Sequence, residues 1–215
     1  MADNLFEAQY DITKKSKLRK FYDSYKILIF SFILIFIISL GSFIFYLEKK
    51  EQKKILISEN YIKAKIYLES GKKNEAVEIL KEGIFSNDPT YSSLCFFIIL
   101  NQELITNREE LLILFDHLLQ NNKFEKEVKN LLVFKKALFI SNYANEAELL
   151  EVTKPLLNTE TLWKPHALLL LGSYFASKKE NLKAKEFYMK ILNIKGLHQD
   201  IYNQASSQLS VISDD

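Results

Sequence analysis

The chain has one cysteine, three prolines and five glycines in 215 residues. A single cysteine excludes an internal disulfide framework and any cysteine-based zinc site. So little glycine and proline excludes a collagen-like chain and argues against a turn-rich β-sandwich or a long flexible linker. Charge of one sign is lacking as well: 29 basic against 27 acidic residues leave +2, no general reason to expect nucleic acid. The three histidines, His117, His166 and His198, stand far apart. None has a carboxylate or a second histidine three or four residues on, so no metal face is read from them and they are expected on the surface. The glycines are isolated from one another, which excludes a phosphate-binding loop. Cys95 sits in an apolar run, where a thiol packs more often than it reacts. Glu109 and Glu110 fall where a helix would start, and acids favour that end of the dipole without any catalytic role. No enzyme and no cofactor site is read from these residues.

What is present is one long apolar run. From Ile27 to Leu47 no residue is charged, and Ser31, Ser39, Gly41 and Ser42 are the only small or polar breaks. At helical rise this covers about 31 Å, the thickness of a bilayer core. Tyr25 and Tyr46 stand at its ends, where amphipathic rings favour the interface. A signal peptide would have a shorter apolar core and a small-residue cleavage site. Here Phe43-Ile44-Phe45-Tyr46 follows instead. The expectation is an uncleaved anchor over 27–47, preceded by a segment 1–26 and followed by a domain 48–215. A lipid anchor would need a cysteine directly after the run, and Cys95 is far away. Orientation is not set by charge. Six basic residues from Lys14 to Lys26 face six from Lys49 to Lys65. The cluster at 14–20 reads most simply as contact with lipid headgroups.

Residues 48–215 carry 23 basic and 23 acidic residues without blocks. Their apolar pattern is helical: Leu111, Phe115, Leu118 and Leu119 share one face, as do Val128, Leu131, Leu132, Leu138 and Phe139. Capping pairs are read at Thr106 with Glu109, Asn122 with Glu125, and Asn145 with Glu148. Asp88-Pro89 and Lys164-Pro165 place proline in the first turn of new helices. The run Leu94–Leu100 is too short to span a membrane and is expected as a helix buried on all faces.

Internal similarity is the sharpest signal. Ala64, Tyr67, Gly71, Ala76, Leu80 and Gly83 have the spacing of a tetratricopeptide repeat, with Asp88-Pro89 closing the unit. Small residues at Ala64, Ala76 and Gly83 would let two antiparallel helices approach, and Gly71 would end the first of them in a left-handed conformation. Leu171, Gly172, Phe175, Ala184 and Tyr188 repeat the pattern 108 residues later, with Lys179 and Ile191 where Gly71 and Gly83 stood. Two more pairs fit between, near 90–105 with 107–121 and 124–141 with 145–157, where Pro155 should shorten or kink its helix. A last amphipathic helix near 198–212 would cap the stack. The fold class is therefore all-α: a membrane helix, then a tetratricopeptide-like α-solenoid of about four pairs plus a capping helix. First helices of successive pairs would line a concave face. Tyr61, Lys65 and Leu68 from the first pair, and His166, Leu169 and Ser173 from the fourth, are the candidate partner-binding residues.

The order of these parts resembles the YfgM-type ancillary subunits of the bacterial SecYEG translocon. Supporting residues are the lead from Leu5-Phe6-Glu7 to Tyr25, Pro155-Leu156-Leu157 with Trp163-Lys164-Pro165, and the ending Gly196-Leu197 to Leu209. The polar tail 210–215 and the lysine- and isoleucine-rich composition depart from that family. The resemblance implies an inner-membrane protein with its N-terminus in the cytoplasm and its domain in the periplasm. It also implies SecYEG and a membrane-anchored periplasmic chaperone as partners, with secreted polypeptides passing by. A membrane-tethered scaffold for envelope assembly or division, and a cytoplasmic adaptor, are the competing readings of the residues alone.

Overall fold

Residues 17–213 are described by the computed structural model. Among them there are nine α-helices and no strand. The lead at Leu5 and the basic residues Lys14 and Lys15 lie outside the described residues.

The first helix, α1 (Lys17–Glu69), is 53 residues long. The chain divides into two compact units, one ending at Leu56 and one starting at Ile57. In the first unit, α1 contains an eighteen-residue window with a mean hydropathy of 2.8, none of it buried. Side chains such as Phe32, Phe36 and Ile44 are open to the surroundings along the whole run. A soluble core helix of this composition would be covered. This one has the length and composition to cross a membrane.

In the second unit the end of α1 and the helices α2 (Lys73–Phe85), α3 (Pro89–Asn101), α4 (Arg108–Asn121), α5 (Lys126–Ile140), α6 (Glu146–Leu157), α7 (Lys164–Ser177) and α8 (Asn181–Leu192) form four antiparallel pairs. The ninth, α9 (Gln199–Ser213), covers the last pair. It puts Ala205 into the core and packs Ile201, Leu209 and Ile212 against it. This is the all-α array with a capping helix that the sequence pattern describes.

The turns follow from local chemistry. Gly71 has φ +76° and ends α1, and the amide of Lys72 donates to the Tyr67 carbonyl. Lys179 takes φ +62° at the matching position without the glycine that suits it. Asp88 caps α3, its carboxylate accepting from the amides of Thr90 and Tyr91 at 3.0 Å each. Asn145 caps α6 through the Glu148 amide at 2.9 Å, as its spacing suggested. Two other caps differ from the sequence reading. Asn107, one residue after Thr106, accepts from the Glu110 amide. Asn122 closes α4 instead of opening α5, and its amide nitrogen turns back to the Leu118 carbonyl. The expected helix 90–105 stops at Asn101, because Glu103 adopts φ +50° and the Leu104 amide folds back onto Ile99. α6 ends two residues after Pro155.

Two main cores result. Ala64, Leu80, Ile84, Phe96, Ile99 and Phe115 build the one under the first two pairs. Leu149, Leu171, Phe175, Ala184 and Tyr188 are among those building the other, under the last two. The run from Leu94 to Leu100 is helical but not buried all round. Cys95, Phe96 and Ile99 are inside, Leu94 is 37% exposed, and Ile98 is only partly covered. The first helix of a pair in a solenoid packs on one broad side and leaves the other to solvent, so an unbroken apolar run cannot all be buried.

Candidate partner-binding site

Tyr61, Lys65 and Leu68 recur at four and three residues and so share one face of α1. Ala64, four residues before Leu68, lies at the inner edge of that face and is fully buried. The three residues meet Ile98 of α3 and Gln102 just after it around a cavity of 270 Å³, with Glu69 beside them. Tyr61 also approaches Tyr91 of α3, ring centroids 5.9 Å apart, and the Lys65 ammonium lies 5.9 Å from the Tyr61 ring. Here the first helices of two successive pairs open side by side.

The residues from the fourth pair do not gather in that way. His166 lines a second cavity of 710 Å³ at the start of α7, together with Leu162, Ile194, Lys195, His198 and Ile201 among others. Leu169 is half-buried against the C-terminal core. Ser173 is exposed, its hydroxyl 3.5 Å from that of Tyr188. The six candidates thus fall into one group of three, one group containing His166, and two residues lining neither cavity.

The histidines depart from the surface reading. His166 is half-buried between Phe134 and Trp163, with ring centroids 5.8 and 5.5 Å away. Burial lowers its pKa below the usual 6.5, because the imidazolium would lose hydration there. His117 is also partly covered, holding the Asn87 side chain at 2.9 Å and lying 4.6 Å from the Phe85 ring. Only His198 is openly exposed, with Asp200 3.4 Å from its Nδ1.

A third cavity, of 340 Å³, opens near α2 and α4, where Lys81 reaches Glu110 at 2.7 Å and Glu78 at 3.3 Å. The hydrogen bond to Glu110 is the main reason the Lys81 pKa is raised. The lysine is held by two carboxylates, a self-satisfied cluster. Cys95 is buried, and desolvation pushes its thiol pKa up to about 12, so it is not a nucleophile at neutral pH. Among the described residues no three of His, Cys, Asp or Glu could hold a metal ion.

A polar network that sequence reading missed ties the loop before α7 to the start of α5. The Thr161 hydroxyl donates to a Glu127 carboxylate oxygen at 2.7 Å, and the Trp163 indole N–H donates to the Glu127 carbonyl at 3.2 Å. Lys126 donates to the Glu160 carbonyl at 2.7 Å. These partners lie 34 to 36 residues apart, about one repeat, and no local pattern announces them.

The sequence model of the tetratricopeptide repeat matches residues 60–84 and 165–196. These are the first and last helix pairs. The chain carries a tetratricopeptide-repeat domain. No curated protein and no solved structure matches the chain. Tetratricopeptide repeats are scaffolding modules, and a domain built of them suits protein–protein interaction. Its place after an uncovered apolar helix is that of a membrane-anchored interaction module.

Proposed function

We propose that this is a single-pass inner-membrane protein whose repeat domain receives protein partners in the periplasm as an ancillary component of the Sec translocon. Residues 1–26 would lie in the cytoplasm, 27–47 would cross the bilayer, and the repeats would follow from residue 48. The observation that carries the interaction role is the cavity where Tyr61, Lys65 and Leu68 of α1 face Ile98 of α3 and Gln102 just after it. It combines aromatic and apolar surface with four side chains able to hydrogen-bond, those of Tyr61, Lys65, Glu69 and Gln102, the make-up of a peptide-binding groove. The translocon, the membrane-anchored chaperone and the periplasmic location rest on resemblance to YfgM-type proteins, which combine an anchor and repeats in the same order.

Two experiments test the reading in sequence. A reporter active only outside the cytoplasm, fused after Asp215, should be active; an inactive reporter with full-length expression would place the domain in the cytoplasm as a tethered adaptor. Purification of the tagged chain in mild detergent should enrich SecYEG over an unrelated single-pass protein. Equal recovery would remove the translocon and leave a scaffold of the envelope as the better reading.

A further inference from the structure

The groove between α7 and α9 has three properties that together describe what it takes. Its wall is held in place. Thr161, Leu162 and Trp163 are fastened to α5 by the bonds to Glu127 described above, with the Leu162 amide 3.3 Å from the same carboxylate and Asn130 donating to Thr161 at 2.9 Å. Leu162 nevertheless remains 74% exposed. An exposed leucine on a loop ordered by five polar contacts presents apolar surface whose ordering entropy is already spent, which favours binding.

The opposite wall is apolar at its base, with Ile194, Leu197 and Ile201 only partly covered. Its rim carries basic and imidazole groups. Lys195 has no acidic partner among the described residues, and His166 and His198 line the same groove. The single acid lining the groove, Asp200, already sits beside His198. The first turns of α7 and α9 contribute Pro165, His166, Asp200 and Ile201, so the positive ends of two helix dipoles open on the same space.

We infer that this groove docks a short apolar polypeptide segment bearing an acidic side chain, with apolar groups between Leu162 and Ile201 and the carboxylate at Lys195. The inference rests on the domain's role as an interaction module and specifies the chemistry of one of its partners. A second copy of the chain is a poorer occupant. Ser206, Ser207 and Gln208 of α9 are exposed and polar, and end-to-end stacking would strip them of water.

The test uses the full chain in nanodiscs and a fluorescent octapeptide, Ser-Leu-Phe-Ser-Leu-Phe-Asp-Glu, amidated at its C-terminus. A second probe replaces the last two residues by Asn-Gln. Fluorescence anisotropy should show the acidic probe binding about tenfold more tightly than the neutral one. Lys195→Gln should erase that difference, and Leu162→Ser should weaken both probes about tenfold. Leu162 and Lys195 are exposed, so these variants should keep the parent's helical circular dichroism and unfolding midpoint. Equal binding of the two probes, unchanged affinity in Leu162→Ser, or no binding of either probe would overturn the inference. So would sedimentation that reveals a dimer abolished by Leu162→Ser, since the groove would then be a self-contact. Loss of the groove with SecYEG enrichment intact would leave the proposed function standing, and the reverse result would leave the groove.

Discussion

The first and last helix pairs are 108 residues apart in register and solve the same packing problem with different residues. In the first pair Ala64 is the small residue of the first helix and Leu80 fills the core beside it. In the last pair Gly172 replaces Ala64 and Tyr188 replaces Leu80. A Cβ placed on Gly172 would lie 2.5 Å from the Tyr188 ring. The smaller residue therefore makes room for the larger one, and the distance between helices is set by the pair, not by either position alone. Gly83 works in the same way against Cys95, whose Sγ would lie 2.5 Å from an added Cβ. At position 191 an isoleucine occupies the core in place of that glycine and is fully buried. Ala64 with Leu80 and Gly172 with Tyr188 thus fill a similar summed volume with different side chains, while Ile191 adds bulk that the first pair lacks.

The largest way to break the comparison is at the filler residues. Tyr188→Ala should cost about 3–5 kcal/mol and Leu80→Ala about 2–5 kcal/mol in urea unfolding of the full chain, since both are fully buried. Gly172→Ala comes next, at about 1–3 kcal/mol from overpacking. Combining Gly172→Ala with Tyr188→Leu installs the first pair's solution in the last. The double variant should be more stable than the sum of the single losses, and strict additivity in the cycle would refute the volume argument.

A smaller effect should appear at the turn. Gly71 and Lys179 both hold positive φ, but only glycine does so without strain. Gly71→Ala should destabilise by about 1 kcal/mol, while Lys179→Gly should stabilise by up to about 1 kcal/mol. Equal signs for the two would mean that the backbone conformation does not decide the exchange.

The smallest effect distinguishes the pairs by pH. His166 stands where the first pair has Ser58. Its pKa is lowered in the folded chain by burial, so the unfolded chain takes up the proton first as pH falls. The stability linked to the neutral ring is complete above the unfolded value of 6.5, and is lost as pH falls from there through the lower folded value. Unfolding followed from about pH 7.5 to about pH 5.5 should therefore lose more stability in the parent than in His166→Gln. Parallel profiles would mean that burial does not hold the ring neutral.

The matched residues explain why so much of this fold was legible. Gly71, Ala76, Gly172 and Ala184 act through the immediate backbone or through one neighbouring helix, and such constraints recur at a fixed spacing. Caps were legible only where the competing residues were few. Asn145 was placed correctly, but Thr106 lost to Asn107 next to it, because both can cap and the chain's entry angle chooses between them. The candidate site was less readable. Tyr61, Lys65 and Leu68 could be put on one face by helical period, but Ile98 and Gln102 enter only when α3 packs beside α1. His166 was placed on the right helix and given the wrong environment, since Phe134 reaches it from another repeat.

By itself, then, the near absence of glycine, proline and cysteine determined what this protein is not, and the uncharged stretch from Ile27 to Leu47 determined its long apolar helix. Helical period and small-residue spacing determined the pairs, because these act over a few residues or at a constant repeat. The tertiary structure decided the three cavities, the hydrogen-bonded loop that displays Leu162, and the half-burial of His166. Those depend on contacts between side chains about a repeat apart, whose energies are set by where neighbouring helices come to rest.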